Sequence, residues 1–89
     1  MPTVAFTTVL QRFLPAPDMR VAGATVREAL DAVFAAHPAL RGYVLDDQGA
    51  VRRHVIVYVN GVPARDRTRL TDRVGPADEI YVFQALTGG

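Results

Sequence analysis

One helical stripe, set among segments that otherwise read as strands, constrains this chain most. Val26, Ala29, Leu30, Val33 and Phe34 recur at i, i+3, i+4, i+7 and i+8, which gathers them into an apolar face about 100° wide. A helix so patterned lies on something and does not stand free. Thr25-Val26-Arg27-Glu28 fits the capping-box pattern, in which the Thr hydroxyl and the Glu carboxylate satisfy orphan amides of the first turn. Pro38 stops this helix, because the residue before a proline is pushed out of the α region.

The remaining segments have β character. Thr3 to Val9 alternates roughly, with Val4 and Phe6 on one face and Thr3, Ala5 and Thr7 on the other. Leu10 to Asp18 carries Pro15 and Pro17 and reads as a loop, and a short strand around Arg20 to Ala22 would complete a hairpin. Asp46-Asp47-Gln48-Gly49 is a turn cluster between Tyr43-Val44-Leu45 and the run from Val51 to Val59, which predicts a second hairpin. His54 to Val59 is nearly continuous in β-branched and aromatic residues, as in an inner strand, and Asn60-Gly61 after it is a favoured type I′ pair. Leu70 and Val74 are apolar anchors in a polar connector, Gly75-Pro76 marks a turn, and Glu79 to Phe83 is a last strand. The predicted class is α+β: a mixed sheet of four to five strands with one main helix packed on one face. Residues 1–83 are read as one domain and 84–89 as a flexible tail.

Composition narrows the chemistry. The 89 residues are 49% hydrophobic, enough for one core but hardly for two. No cysteine or serine is present, so the usual acyl-transfer nucleophiles are missing apart from threonine, and any sulfur must come from outside. The chain reads as a substrate for enzymes, not as an enzyme. All ten cations are arginine and none is lysine, for a net charge of +1; codon usage is the bland explanation, yet the chain still offers no side-chain amine to an isopeptide bond. That balance argues against a nucleic-acid partner. No segment approaches the roughly 18 apolar residues of a membrane span, and no signal peptide is visible, so a cytoplasmic location and no membrane partner are expected.

His37 and His54 have no acidic or cysteine partners at ligand spacing, so no metal site is expected. Asp46-Asp47 reads as a solvated turn and not as paired catalytic carboxylates. Arg52, Arg53, Arg65, Arg67 and Arg69 form either a solvated basic edge or a surface for an acidic patch on a partner.

If the helix covers Val4, Phe6, Ile80 and Val82, alternation puts Tyr81 and Phe83 on the opposite face beside Ala5 and Thr7. Such a patch is a contact surface unless loops fold over it or its aromatics simply stay exposed. Gly88-Gly89 ends the sequence. At average glycine usage such a pair arises by chance about 0.5% of the time, and an appended remnant could also supply it; joined to a β-rich domain whose last strand runs into it, the pair gains weight. Lacking Cβ atoms, Gly88 and Gly89 can thread a channel closed to other residues. The six residues from Gln84 to Gly89 reach at most about 20 Å at roughly 3.3 to 3.6 Å each.

Tyr58-Val59-Asn60-Gly61, Asp78-Glu79-Ile80 and Phe83-Gln84-Ala85-Leu86-Thr87-Gly88-Gly89 resemble the sulfur-carrier proteins related to the small subunit of molybdopterin synthase and to the thiazole-synthesis carrier. The Thr25 to Leu30 helix start fits as well, so the likeness spans essentially the whole chain. The resemblance implies a β-grasp, ubiquitin-like fold. It also implies that an adenylating, E1-like enzyme uses ATP to activate the Gly89 carboxylate, that sulfur replaces AMP to give a thiocarboxylate, and that a sulfur-accepting synthase then uses the sulfur. No cofactor is bound by the carrier itself; ATP belongs to the activating enzyme. By the resemblance Phe83 and Pro63 contact partner enzymes. Tyr81 joins them from the open face, and Gln84, Ala85, Leu86 and Thr87 from the tail. Gln84 stands where many relatives have proline, which would let the tail leave the sheet less rigidly. The Leu45-Asp46, Gly49 and Val51-Arg52 pattern looks more like carriers associated with cysteine synthesis. The tail chemistry is common to all these pathways. A modifier joined through Gly89 to lysines of target proteins is the alternative, and a β-grasp binding module with an incidental tail is a third reading.

Overall fold

The computed structural model describes residues 1–12, 14 and 18–84. Five strands form one sheet in the order β2-β1-β5-β3-β4: β1 is Thr3–Phe6, β2 Asp18–Arg20, β3 Val55–Val59, β4 Val62–Pro63 and β5 Glu79–Gln84. Only the central β1–β5 pair is parallel, aligning Val4 with Ile80 and Phe6 with Val82. Parallel neighbours need a long crossover, and here it brings the main helix, α2 (Val26–Ala36), onto one face of the sheet. All five residues of the apolar stripe are buried on that helix, against Val4, Phe6, Val55, Val57, Ile80 and Val82. This is the expected mixed sheet with one main helix, the β-grasp arrangement. Among the described residues no helix is long and apolar enough to cross a membrane.

The capping box forms with one change of partner. The Glu28 amide donates to Thr25 Oγ1 at 3.1 Å, while Glu28 Oε1 accepts from the amide of Ala24, one residue before the cap, at 2.8 Å. Gly23, just ahead, lies so close to the helix that a Cβ there would meet the backbone nitrogen of Ala29 at 2.7 Å. Its lack of a side chain lets β2 deliver the chain straight into α2.

Four boundaries differ from the sequence reading. The first strand ends at Phe6, and Thr8–Gln11 forms a helical turn, α1, that buries Leu10. β2 sits two residues earlier than expected, because Val21 leaves the strand to enter the core. Tyr43-Val44-Leu45 is not a strand: Pro38 ends α2 and also begins α3 (Pro38–Val44) as its first residue, a position where its missing N–H costs nothing. Leu40 and Val44, four apart, form the buried face of α3. The second hairpin is therefore reduced to a single Leu45–Val51 bridge, and β3 begins only at Val55. The turn itself is as expected, with Asp46 Oδ1 accepting from the Gln48 and Ala50 amides and Gly49 at φ +81°. Asn60 and Gly61, at φ 51° and 83°, make the two-residue turn between β3 and β4.

The connector from β4 to β5 closes the core from below. Leu70 is fully buried at φ 57°, a left-handed conformation that a leucine holds only when its surroundings enforce it. Asp66 does so: its carboxylate accepts from the Thr68, Arg69 and Thr71 amides and from the Thr71 hydroxyl, and its backbone carbonyl from the Leu70 amide. The Arg69 amide first and the Thr71 hydroxyl next hold the Asp66 carboxyl down at about 2. Val74, the other expected anchor, is buried too.

Candidate functional site

The sheet face away from α2 carries the candidate site. Alternation along β5 buries Ile80 and Val82 and turns Tyr81 and Phe83 outward. Residues directly opposite across a ladder share a face, so the register defines the patch: Tyr58 lies opposite both Tyr81 and Pro63, Ile56 opposite Phe83, and Ala5 opposite Tyr81. A row Pro63–Tyr58–Tyr81–Ala5 thus crosses four strands, and Ile56–Phe83 lies beside it. Tyr81 remains 40% and Phe83 37% exposed, so the described loops do not fold over them. An exposed apolar patch of this kind is suited to receive another protein.

The sequence places Tyr81 and Phe83 on this face and the resemblance alone points to Pro63, while Ile56 and Tyr58 are not assigned to it. The signal was present as period-2 alternation, since Val55 and Val57 are buried while Ile56 and Tyr58 are half-exposed. In an unbroken β-branched and aromatic run, apolarity on both faces hides it.

Two of the quoted motifs meet at the start of β5. Asn60 Nδ2 donates to Asp78 Oδ1 at 3.0 Å, Asn60 Oδ1 accepts from the Glu79 amide at 2.9 Å, and the Gly75 amide donates to Asp78 Oδ2 at 2.7 Å. The Gly75 N–H, then the Asn60 amide, hold the Asp78 carboxyl below its usual range. The turn after β3 is thereby tied to the entry of β5, which fixes the two strands that supply most of the patch.

At the other end β5 runs one residue further than predicted, to Gln84, paired opposite Val55. The Gln84 amide donates to Thr7 Oγ1 at 2.8 Å, a bond a proline at this position could not make. Gln84 Oε1 is buried and has no hydrogen-bond partner among the described residues. Ala85, Leu86, Thr87, Gly88 and Gly89 lie outside the described residues. Thr7 and Gln84 place side-chain polar groups at this strand end, beside the apolar face.

The proposed basic edge has a structural component. Arg52 Nε donates to the Gly42 carbonyl at 2.7 Å and Arg67 Nη2 to the Arg52 carbonyl at 2.7 Å. On α2, Arg27 Nη2 likewise reaches the Gly49 carbonyl at 2.6 Å. Arg52 and Arg27 thus fasten loops to helices, and Arg67 ties one loop to another. His37 sits at the junction of α2 and α3, and His54 in the turn before β3.

Residues 14–89 match the family model described as the ThiS family. Small archaeal modifier protein 1 of Haloferax volcanii is 39% identical over 66 residues, covering 74% of this chain and 71% of that protein. The crystal structure of SAMP1 from Haloferax volcanii aligns with a TM-score of 0.84 at 32% identity, covering 99% of this chain and 98% of that one. A chain of the Amycolatopsis orientalis BexX/CysO complex aligns with a TM-score of 0.87 at 27% identity over 100% of both.

Proposed function

This chain belongs to the ThiS family of small ubiquitin-like carrier and modifier proteins, which are not enzymes themselves, and from that premise we propose that it is a sulfur carrier charged at the carboxylate of Gly89. A carboxylate is a resonance-stabilised, poor electrophile. In the proposed first step a Gly89 oxygen attacks the α-phosphorus of ATP on an adenylating partner enzyme, pyrophosphate leaves, and a mixed anhydride results. A sulfur nucleophile then adds to that carbonyl and AMP departs. With sulfide as that nucleophile, loss of its remaining proton leaves the thiocarboxylate with no change of oxidation state. Its sulfur is anionic at neutral pH and more nucleophilic than the original oxygen, as a thiolate is relative to an alcohol. A sulfur-accepting synthase consumes it and returns the carboxylate.

The observation that carries this reading is the continuity of β5. The strand that displays Tyr81 and Phe83 is also the strand that leads, through Gln84, into Ala85-Leu86-Thr87-Gly88-Gly89. A partner docked on the open face would therefore have the chain end within reach, since five residues extend by up to about 17 Å. The Amycolatopsis relative is described in a complex with a protein partner, which supports docking of this kind.

Attachment of Gly89 to lysines of other proteins is the second reading, favoured by the 39% identity to a protein named a modifier. Both readings share the adenylated intermediate. Intact mass of the chain after incubation with ATP, a sulfide donor and its adenylating enzyme separates them. Exchange of one oxygen for sulfur adds about 16 Da and supports the carrier, whereas isopeptide-linked target proteins support the modifier. An unchanged mass and no conjugates, or full activity after one alanine is added beyond Gly89, would sink both.

A further inference from the structure

The last residue of β5 is held by a side chain where a backbone group would ordinarily serve. At the end of β1 the backbone carbonyls are already taken by α1: Phe6 O accepts from Gln11 Nε2 at 2.9 Å, and Thr7 O from the Leu10 amide at 2.8 Å. The chain has turned into a helix, and the ladder to β5 has no further carbonyl to offer. Thr7 Oγ1 fills the gap. It accepts from the Gln84 amide at 2.8 Å and donates to the Val82 carbonyl at 2.9 Å, while the Thr7 amide donates to the same carbonyl at 3.0 Å. The hydroxyl thus extends the β1–β5 pairing by one residue. The Gln84 side chain does not share this task through its oxygen, because Oε1 is buried without a partner among the described residues.

We infer that Thr7 is a positioning residue for charging of the chain: its hydroxyl fixes the backbone at Gln84 and so sets the direction in which the following residues are handed to the adenylating enzyme. This rests on the sulfur-carrier reading. Preorganisation of this kind acts on binding before chemistry, since an unfixed root spends only part of its time in the competent orientation. Loss of one hydrogen bond of ordinary net strength corresponds to about a fivefold effect.

Thr7→Val removes the hydroxyl but keeps the β-branched shape, and Thr7→Ser keeps the hydroxyl. Two readouts are needed: hydrogen exchange of the Gln84 amide by NMR, and ATP–pyrophosphate exchange catalysed by the adenylating enzyme as the chain concentration is varied. In Thr7→Val the Gln84 amide is expected to exchange about tenfold faster while the Val57 and Val82 amides are unchanged. KM for the chain should rise about fivefold with kcat within about twofold, and Thr7→Ser should restore both. An unchanged KM in Thr7→Val, a Gln84 amide still protected, or failure of Thr7→Ser to rescue overturns the assignment. If the wild-type chain supports no pyrophosphate exchange, the carrier reading fails on its own, and the Gln84 amide alone then decides whether Thr7 holds this strand end.

Discussion

Replacing Gly23 by alanine should unseat the start of α2. The new Cβ would lie 2.7 Å from the Ala29 nitrogen, 3.0 Å from its Cα and 3.1 Å from the Glu28 carbonyl carbon. Ordinary contact begins at 3.4 Å, so a separation of 0.7 Å (3.4 minus 2.7) must be made up against helix backbone, which cannot rotate away. The next residues are tied on both sides, the Ala24 amide to Glu28 Oε1 and the Ala24 carbonyl to the Val74 amide. A shift therefore strains the cap and the connector together. Overpacking costs about 1 to 3 kcal/mol, and a damaged cap about 1; the stiffer unfolded chain returns roughly 0.4 to 1. The net is a loss of about 2 kcal/mol, or a fall in Tm of about 8 to 16 °C for a domain of this size. Thermal melting by circular dichroism measures it, with Gly42→Ala as the comparison. Gly42 lies in α3 with nothing near its missing Cβ, so alanine there should stabilise by about 0.5 to 1 kcal/mol. A Gly23→Ala protein melting at or above wild type, or the two variants falling together, would refute the steric reasoning.

Phe83→Ala tests the open face. With 37% of the residue exposed, roughly 75 Å² of a ring that presents about 200 Å² remains to be covered by a partner, worth about 2 kcal/mol or thirtyfold in affinity. Titration calorimetry with the adenylating enzyme should show that loss in a variant that stays folded, and unchanged affinity would remove the face from the docking surface. Asp66 predicts an acid response. Its folded pKa of about 2 lies below the ordinary aspartate value of 3.8, so its contribution is fully present above about pH 4 and is lost as pH falls toward 2. Asp66→Asn should flatten that limb of the stability curve in urea titrations at successive pH values; an unaltered limb would assign the acid sensitivity elsewhere.

What the sequence revealed depended on whether a pattern was local. The stripe from Val26 to Phe34, the Thr25 cap and the Asn60-Gly61 turn are set by neighbours a few residues away, and each stands in the structure as read. Tyr43-Val44-Leu45 has the β-branched and aromatic content of a strand, but the Leu40–Val44 spacing puts both residues on one helical face. Tertiary burial of that short face outweighs strand propensity. Thr8–Gln11 was hidden for a similar reason, since only the core's capacity to take Leu10 distinguishes a helical turn there from the end of a strand.

The site divides along the same line. Tyr81 and Phe83 were legible because alternation within one strand separates them from Ile80 and Val82. Ile56 and Tyr58 needed the register with β5, which no property of β3 alone supplies. Thr7 had no signal at all: it precedes Gln84 by 77 positions and meets it only because β1 and β5 run parallel, with Phe6 opposite Val82. Parallel pairing of the first and last strands brings the residue after Phe6 to the place where the chain leaves the sheet. A hydroxyl there can govern an end of the molecule to which it is unrelated in sequence, and the two Thr7 variants separate that role from a merely structural one.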